Sequence, residues 1–406
     1  MSFPVIESER RGFRAPGTTF MVAGSLIGAV GAYIFQAYGG NKLGTEAFAP
    51  IAQLWTVFFI LATVLLVPLE QYVTREVASG RKALPHDLRP AVVMATIGAV
   101  VGGGFVALTL DRLFEGNWQY VLQIALLLFG YALLFVGKGI LAGRRRFADV
   151  GWVLVIESMV RLGAAVLVIR LVADAVSLGW AMVIGGFSIL AMRWWRHDSG
   201  DKDVPAAPSF RFLGGYVGAT TSSQLLLSAA PIAAAALGAS PALVSIVFVT
   251  FTLFRAPLTL IFALQGRVLP YLVGIAGSGD RTGLARIAGI VMVGGGMLAA
   301  LGGLVGWLVG PEVVTLLFDP EFAPSSTVAA LAAAGVMAAA TAQIAGQVLV
   351  AEGRTSRMSA AWIAGLVVAV ISLLLLSGTP DVRVALAFVI GEGVALVLMA
   401  VLAIRS

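Results

Sequence analysis

The sequence predicts an all-α polytopic membrane protein of about 12 transmembrane helices, in two six-helix lobes related by a pseudo-two-fold axis along the membrane normal. Three observations carry this. Of 406 residues, 59% are hydrophobic and 12% charged, whereas soluble domains run at about 45–50% apolar and about 25% charged. Apolar stretches of bilayer-spanning length recur from one end of the chain to the other. The cations between them fall in alternate connections.

Glu7, Glu9, Arg10, Arg11 and Arg14 precede the first apolar run, which ends in no small-residue cleavage site, so it reads as a retained span and not a signal peptide. A span needs about 20 apolar residues to cross a core of about 30 Å. The first six stretches that meet this are 18–38, 47–73, 90–110, 118–141, 150–169 and 174–193. The second six are 212–236, 241–267, 285–309, 327–351, 358–377 and 384–404. Between them lies WWRHDSGDKDVPAAPSF, the most polar stretch of the chain. The expected organisation is therefore an N-terminal lobe 1–193, a cytoplasmic linker 194–210 and a C-terminal lobe 211–406.

Orientation follows from the cations. With the N-terminus inside, the outer connections hold only Lys42, Arg112, Arg170 and Arg383, and Arg161 and Arg255 lie within spans. The other 21 of the 27 Lys and Arg fall inside, which places both termini in the cytoplasm. The basic runs there, such as Arg144–Arg146, also suit anionic membrane lipids.

The halves echo each other. Leu43-Gly44 before an apolar helix matches Leu237-Gly238 before another, LAGRRRF falls opposite VAEGRTSR, and VIGGF falls opposite VIGEGV, with chain order kept. Two six-span repeats run parallel and leave a cleft that alternating access requires. Small faces at Gly24/Gly28 and Gly302/Gly306/Gly310 allow close helix approach. Pro68, Pro231, Pro257 and Pro270 interrupt or end spans two, seven and eight.

Enzymatic chemistry finds no support. There are no cysteines, and His86 and His197 lie apart in polar stretches. No Ser/His/Asp set, GxxxxGK[ST] loop or HExxH motif occurs, and no metal or other cofactor is implied.

Charges at bilayer depth are the informative residues, because each costs at least about 2.5–3.5 kcal/mol unless paired or hydrated. Arg255 sits within the long apolar run VSIVFVTFTLFRAPLTLIFALQ. It reads as a fixed cation for an anionic ligand group in a wet cavity, or as one half of a buried ion pair with a glutamate. Glu157 and Arg161 share a helix face at i, i+4, a spacing that lets them pair with each other. Glu392, between glycines on the last span, has three readings: an ion-coupling site, a partner for Arg255, or a protonated packing residue. Gln53, and Thr220, Thr221 and Gln224 of the TTSSQ cluster, are polar groups for a cavity wall, with back-bonding to their own helix as the plainer alternative. Substrate binding is thus expected at Arg255, Arg161, Gln53, Thr220, Thr221 and Gln224, and ion coupling at Glu392 or Glu157.

LGTEAFAPIAQLWTVFFILATVLLVPLEQYVTREVASGR (43–81) and GKGILAGRRRFADVGWVLVIESMVRLGAAVLVI (137–169) resemble the first loop and second helix, and the helix 4–5 hairpin, of the multidrug/oligosaccharidyl-lipid/polysaccharide (MOP) exporter superfamily. The polysaccharide flippase branch fits best. Residues 18–38 carry none of the acidic residues that many multidrug extruders have there, and lipid II flippases tend to have two more spans. The resemblance implies a flippase for a lipid-linked oligosaccharide or polysaccharide precursor in a bacterial cytoplasmic membrane. Its partners would be the lipid-linked glycan, a proton or Na+ and envelope glycan-assembly enzymes, with no nucleic acid. Ion-coupled multidrug or toxin extrusion and a lipid II-type peptidoglycan precursor flippase are the alternatives.

Overall fold

Lipid offers the backbone no hydrogen bonds, so each apolar stretch must close its own N–H···O=C ladder. The computed structural model does this with helices, and no strand occurs among the described residues. The structure describes residues 17–80, 88–197, 221–258, 271–276 and 281–404. Among them, nine helices are long and apolar enough to cross a membrane.

The first helix, α1 (Thr18–Leu61), has 44 residues. A straight helix of that length would run about 66 Å, too long for one crossing. The break falls at Gly44, whose φ of 79° and ψ of 170° only glycine adopts without strain. A π-helical turn (Ala62–Leu66) then leads into α2 (Val67–Ala78). There follow α3 (Leu88–Leu108), α4 (Gln119–Gly143), α5 (Phe147–Leu171) and α6 (Ala175–Phe187). Asp174 caps α6 by accepting from the Ser177 N–H at 2.6 Å.

The second half holds a helical stretch at 221–228, then α7 (Ala230–Ala236) and α8 (Pro241–Phe254). The long helices α9 (Arg281–Thr315), α10 (Ser326–Ala351), α11 (Thr355–Leu375) and α12 (Pro380–Ile404) complete it. Ser240 and Ser325 cap α8 and α10 through the Leu243 and Val328 N–H groups.

The chain divides into two compact units, Met1–Leu43 with Val57–Val217, and Gly44–Thr56 with Gly218–Ser406. The segment 44–56, expected in the N-terminal lobe, therefore belongs with the second unit. Its contacts there explain the departure. Glu321 Oε1 accepts from the Thr45 N–H at 3.1 Å, restarting the helix after Gly44. Phe48 packs on the rings of Phe248 and Phe322, with centroids 6.0 and 6.2 Å away. Trp194, expected to open the linker, is instead buried in the first unit against Gly137.

Close approaches fall where small residues were expected to allow them. A Cβ on Gly24 would meet the Gly151 backbone, and one on Gly306 would lie 2.6 Å from the Ala329 carbonyl. The outward faces are apolar, as on α9, where Ile290, Met297, Leu301 and Leu304 are all more than half exposed. Lipid is the solvent such faces require.

Candidate functional site

In the first unit the charged groups converge on α5. Glu157 and Arg161 are one turn apart and nearly fully buried. The pairing their spacing suggests is made, with Arg161 Nη1 2.7 Å from Glu157 Oε1. The same oxygen accepts from the Tyr131 hydroxyl of α4 at 2.5 Å, and Arg161 Nη1 also donates to that hydroxyl at 3.2 Å. Phe35 of α1 lies under the guanidinium, 5.6 Å from ring centroid to Cζ, and Phe58 packs on Tyr131 at 4.6 Å. The space comes from α6. A Cβ on Gly185 would come within 2.9 Å of Arg161 Cβ, and one on Gly186 within 2.7 Å of the Tyr131 ring.

The result is a charge-compensated polar island in apolar packing, with a cation–π contact on one side. Tyr131, Phe35 and Phe58 were not singled out from sequence. A tyrosine in the middle of the apolar run IALLLFGYALLFVG was the available signal.

In the second unit the polar residues gather round an interrupted helix. Pro231 has no N–H, so the Leu227 carbonyl four residues earlier loses its normal helical donor. Arg255 fills that vacancy. Its Nη1 donates to the Leu227 carbonyl at 3.0 Å and to Ser228 Oγ at 2.7 Å. Its Nε returns to the Phe251 carbonyl at 3.0 Å, and its Nη2 reaches Thr252 Oγ1 at 3.1 Å. Gln53 reaches the proline itself, its Nε2 donating to the Pro231 carbonyl oxygen at 3.0 Å.

This alters the expected place of Arg255. The run 241–267 is not one helix, because α8 stops at Phe254 and Arg255 is its C-terminal cap. A cation at that end also complements the helix dipole. The guanidinium is part-buried, and the four acceptors above are neutral oxygens. Gln53 and Arg255 are thus brought to one break, whereas Arg161 and Glu157 belong to the first unit. Thr221 and Gln224 lie on the preceding stretch, Gln224 buried. Thr220, Gln265, Pro270 and His86 lie outside the described residues.

Glu392 stands apart from both groups. It is 0% exposed, and neither carboxylate oxygen has a hydrogen-bond partner. Elsewhere in the first unit, Glu70 pairs with Lys138 at 2.9 Å. Among the described residues no group of three or more His, Asp or Glu gathers to hold a metal ion.

No protein-family model matches the chain. An uncharacterized protein of Mycobacterium bovis is 27% identical over 400 residues, covering 92% of this chain and 90% of its own length. An uncharacterized protein of Mycobacterium tuberculosis is 26% identical over 334 residues, covering 79% and 74%. Among solved structures, an inward-facing multidrug resistance MATE family transporter of the MOP superfamily matches with a TM-score of 0.68 at 14% identity, over 94% of this chain and 97% of that one. The eukaryotic MATE transporter AtDTX14 matches at 0.65 and 14% identity, over 96% and 94%. A MOP superfamily transporter from Pyrococcus furiosus, described as having a binding pocket of reverse polarity that suggests a different function, matches at 0.64 and 15% identity, over 95% of each chain. The all-helical, two-unit fold of this chain is the one those transporters share.

Proposed function

We propose that the chain is an alternating-access transporter that moves a lipid-linked oligosaccharide or polysaccharide precursor across a bacterial cytoplasmic membrane, with both termini in the cytoplasm. The observation that carries the reading is a hydrogen-bonded guanidinium held among the apolar helices of each unit of a MOP-type fold, Arg161 in one and Arg255 in the other. Charged groups are costly there, and they mark substrate or ion pathways more often than packing. The anionic head of a lipid-linked glycan is the chemistry two such groups suit. Tyr131, Gln53, Thr221 and Gln224 add hydroxyl and amide groups of the kind that bind sugars. The absence of any acidic residue in 18–38 supports an anionic cargo over a cationic one.

The assignment is tested by depleting the protein and identifying what accumulates on the cytoplasmic side. Build-up of a lipid-linked glycan, relieved by the wild-type gene and not by Arg161→Ala, is the expected result. Normal glycan delivery in the depleted cells would overturn it. A second reading, ion-coupled extrusion of amphiphilic cations, draws on the multidrug resistance MATE neighbour. It predicts raised dye or drug accumulation on depletion while surface glycans stay unchanged.

A further inference from the structure

The least explained group in the molecule is Glu392. It lies at the midpoint of α12, whose 25 residues put it about 18 Å from either end. It is fully buried, and both carboxylate oxygens are without a hydrogen-bond partner.

Among the described residues, its surroundings offer nothing to compensate a charge. On one side Val384, Ala385 and Phe388 pack in a cluster with Val336 and Ala339 of α10. On the other, Ala395 and Met399 pack in a cluster with Ala345 of α10 and Trp362 of α11. Contacts of Gly335 with Phe388 and of Gly346 with Met399 fix the register between α10 and α12. That register sets Glu392 opposite the alanine-rich stretch 338–342. The one hydroxyl there, Thr341, donates to its own Met337 carbonyl and packs against Gly295 of α9.

Charged residues on the described elements packed against α12 are all remote. Neither α10 nor α7 carries one. On α11 there is Arg357, exposed in the first turn, and on α9 the exposed Arg286 and Glu312 and the terminal Arg281. On α12 itself Asp381 and Arg383 sit in the first turn, at least about 13 Å along the axis.

An ionised carboxylate in such a place has no compensation, so the resting form is the neutral acid. A metal cation would need about six or more oxygen ligands, which this environment does not provide. A single proton needs one carboxylate. Leu226 lies 3.2 Å from where a Cβ on Gly391 would stand, and the buried polar residues Ser222, Ser223 and Gln224 precede it on the same helical stretch. The pocket of about 100 Å³ that Leu226 lines with Leu366, Ala369 and Phe388 is apolar.

We propose that Glu392 is a proton-binding site of the second unit, taking one proton from water at one membrane face and releasing it at the other as the protein changes state. The carboxylate gains the proton as an O–H bond and loses it again, with no other co-reactant. The transport half of this statement rests on the transporter reading, and the protonation half does not.

The test uses the full chain purified in lipid. Infrared difference spectra between wild type and Glu392→Gln are expected to show one protonated-carboxyl C=O band present only in the wild type. That band shifts in D2O and disappears reversibly as pH is raised. In proteoliposomes with an internal pH dye, a substrate-driven or gradient-driven proton signal is expected to fall in Glu392→Gln to that of protein-free liposomes. Absence of the band, or a band unmoved by pH throughout the range where the chain stays folded, overturns the proposal. So does a flux that follows Na+ and ignores pH. The wild-type D2O shift and pH titration alone decide the protonation claim if the variant does not fold. A titrating, Glu392-dependent band without any carriage would support the proton site and overturn the transporter reading instead.

Discussion

Two guanidinium groups are held among apolar helices in this chain, one in each unit, and they are satisfied in different ways. Arg161 meets a carboxylate and a phenol, all supplied by side chains. Arg255 meets neutral oxygens, the Leu227 and Phe251 carbonyls and the Ser228 and Thr252 hydroxyls, the Leu227 carbonyl having lost its donor to Pro231. The first arrangement cancels a charge, and the second completes a broken helix. What separates the two is the kind of partner, a carboxylate and a phenol at Arg161 against carbonyls and hydroxyls at Arg255.

The sharpest way to break this contrast is at Glu157. Glu157→Leu takes the carboxylate from a guanidinium that is 5% exposed, and removing one member of a buried pair costs about 3–5 kcal/mol. The double variant Glu157→Leu/Arg161→Met replaces both charges with apolar groups of similar volume and should recover most of that loss. Thermal unfolding in detergent, compared across the three variants, measures it. Equal losses in the single and the double variant would show that Glu157 does not neutralise Arg161.

Tyr131→Phe comes next. It leaves the ion pair in place and deletes the hydroxyl that donates to Glu157 and accepts from Arg161, for a loss of about 1.5–3 kcal/mol. The ring stays under Phe58, so packing is unchanged, and the same unfolding measurement isolates the hydroxyl. A variant as stable as wild type would place the phenol outside the network.

Arg255→Met tests the other arrangement. An unsatisfied buried carbonyl costs about 1–3 kcal/mol. Pro231→Ala restores an N–H to the position that normally serves the Leu227 carbonyl, so in that background Arg255→Met should cost less, with a coupling within about 0.5–3 kcal/mol. Strict additivity of the two changes would mean that Arg255 does not stand in for the missing donor.

The difference in legibility between the two sites has the same physical origin. Glu157 and Arg161 are one helical turn apart, and the i, i+4 rule reads directly from sequence. Arg255 and the Leu227 carbonyl are 28 residues apart, and a carbonyl vacated by proline has no letter of its own. The spans were legible because lipid imposes length and composition on each helix independently, and α4 and α5 begin and end within a few residues of expectation. The membership of residues 44–56 was not, since an apolar helix fits either unit by composition. Three tertiary contacts, through Thr45, Phe48 and Gln53, decide it.

The smallest effect is predicted at Glu392, and its sign carries the argument. Arg161 and Arg255 are each compensated, so changing a partner at either place destabilises. Glu392 has both oxygens buried and unpartnered, so its carboxyl is a cost to the folded state. Glu392→Met keeps the volume and removes the unsatisfied polar atoms, an exchange that is near neutral or stabilising, by up to about 1 kcal/mol. Unfolding in detergent near neutral pH should therefore show a midpoint equal to or above wild type, in the same variant that loses the protonated-carboxyl band. A drop of the size expected for Glu157→Leu would mean that the carboxyl is ionised and paired. A midpoint at or above wild type would show that the fold does not require this carboxyl, which is the outcome the proton-site proposal expects of Glu392.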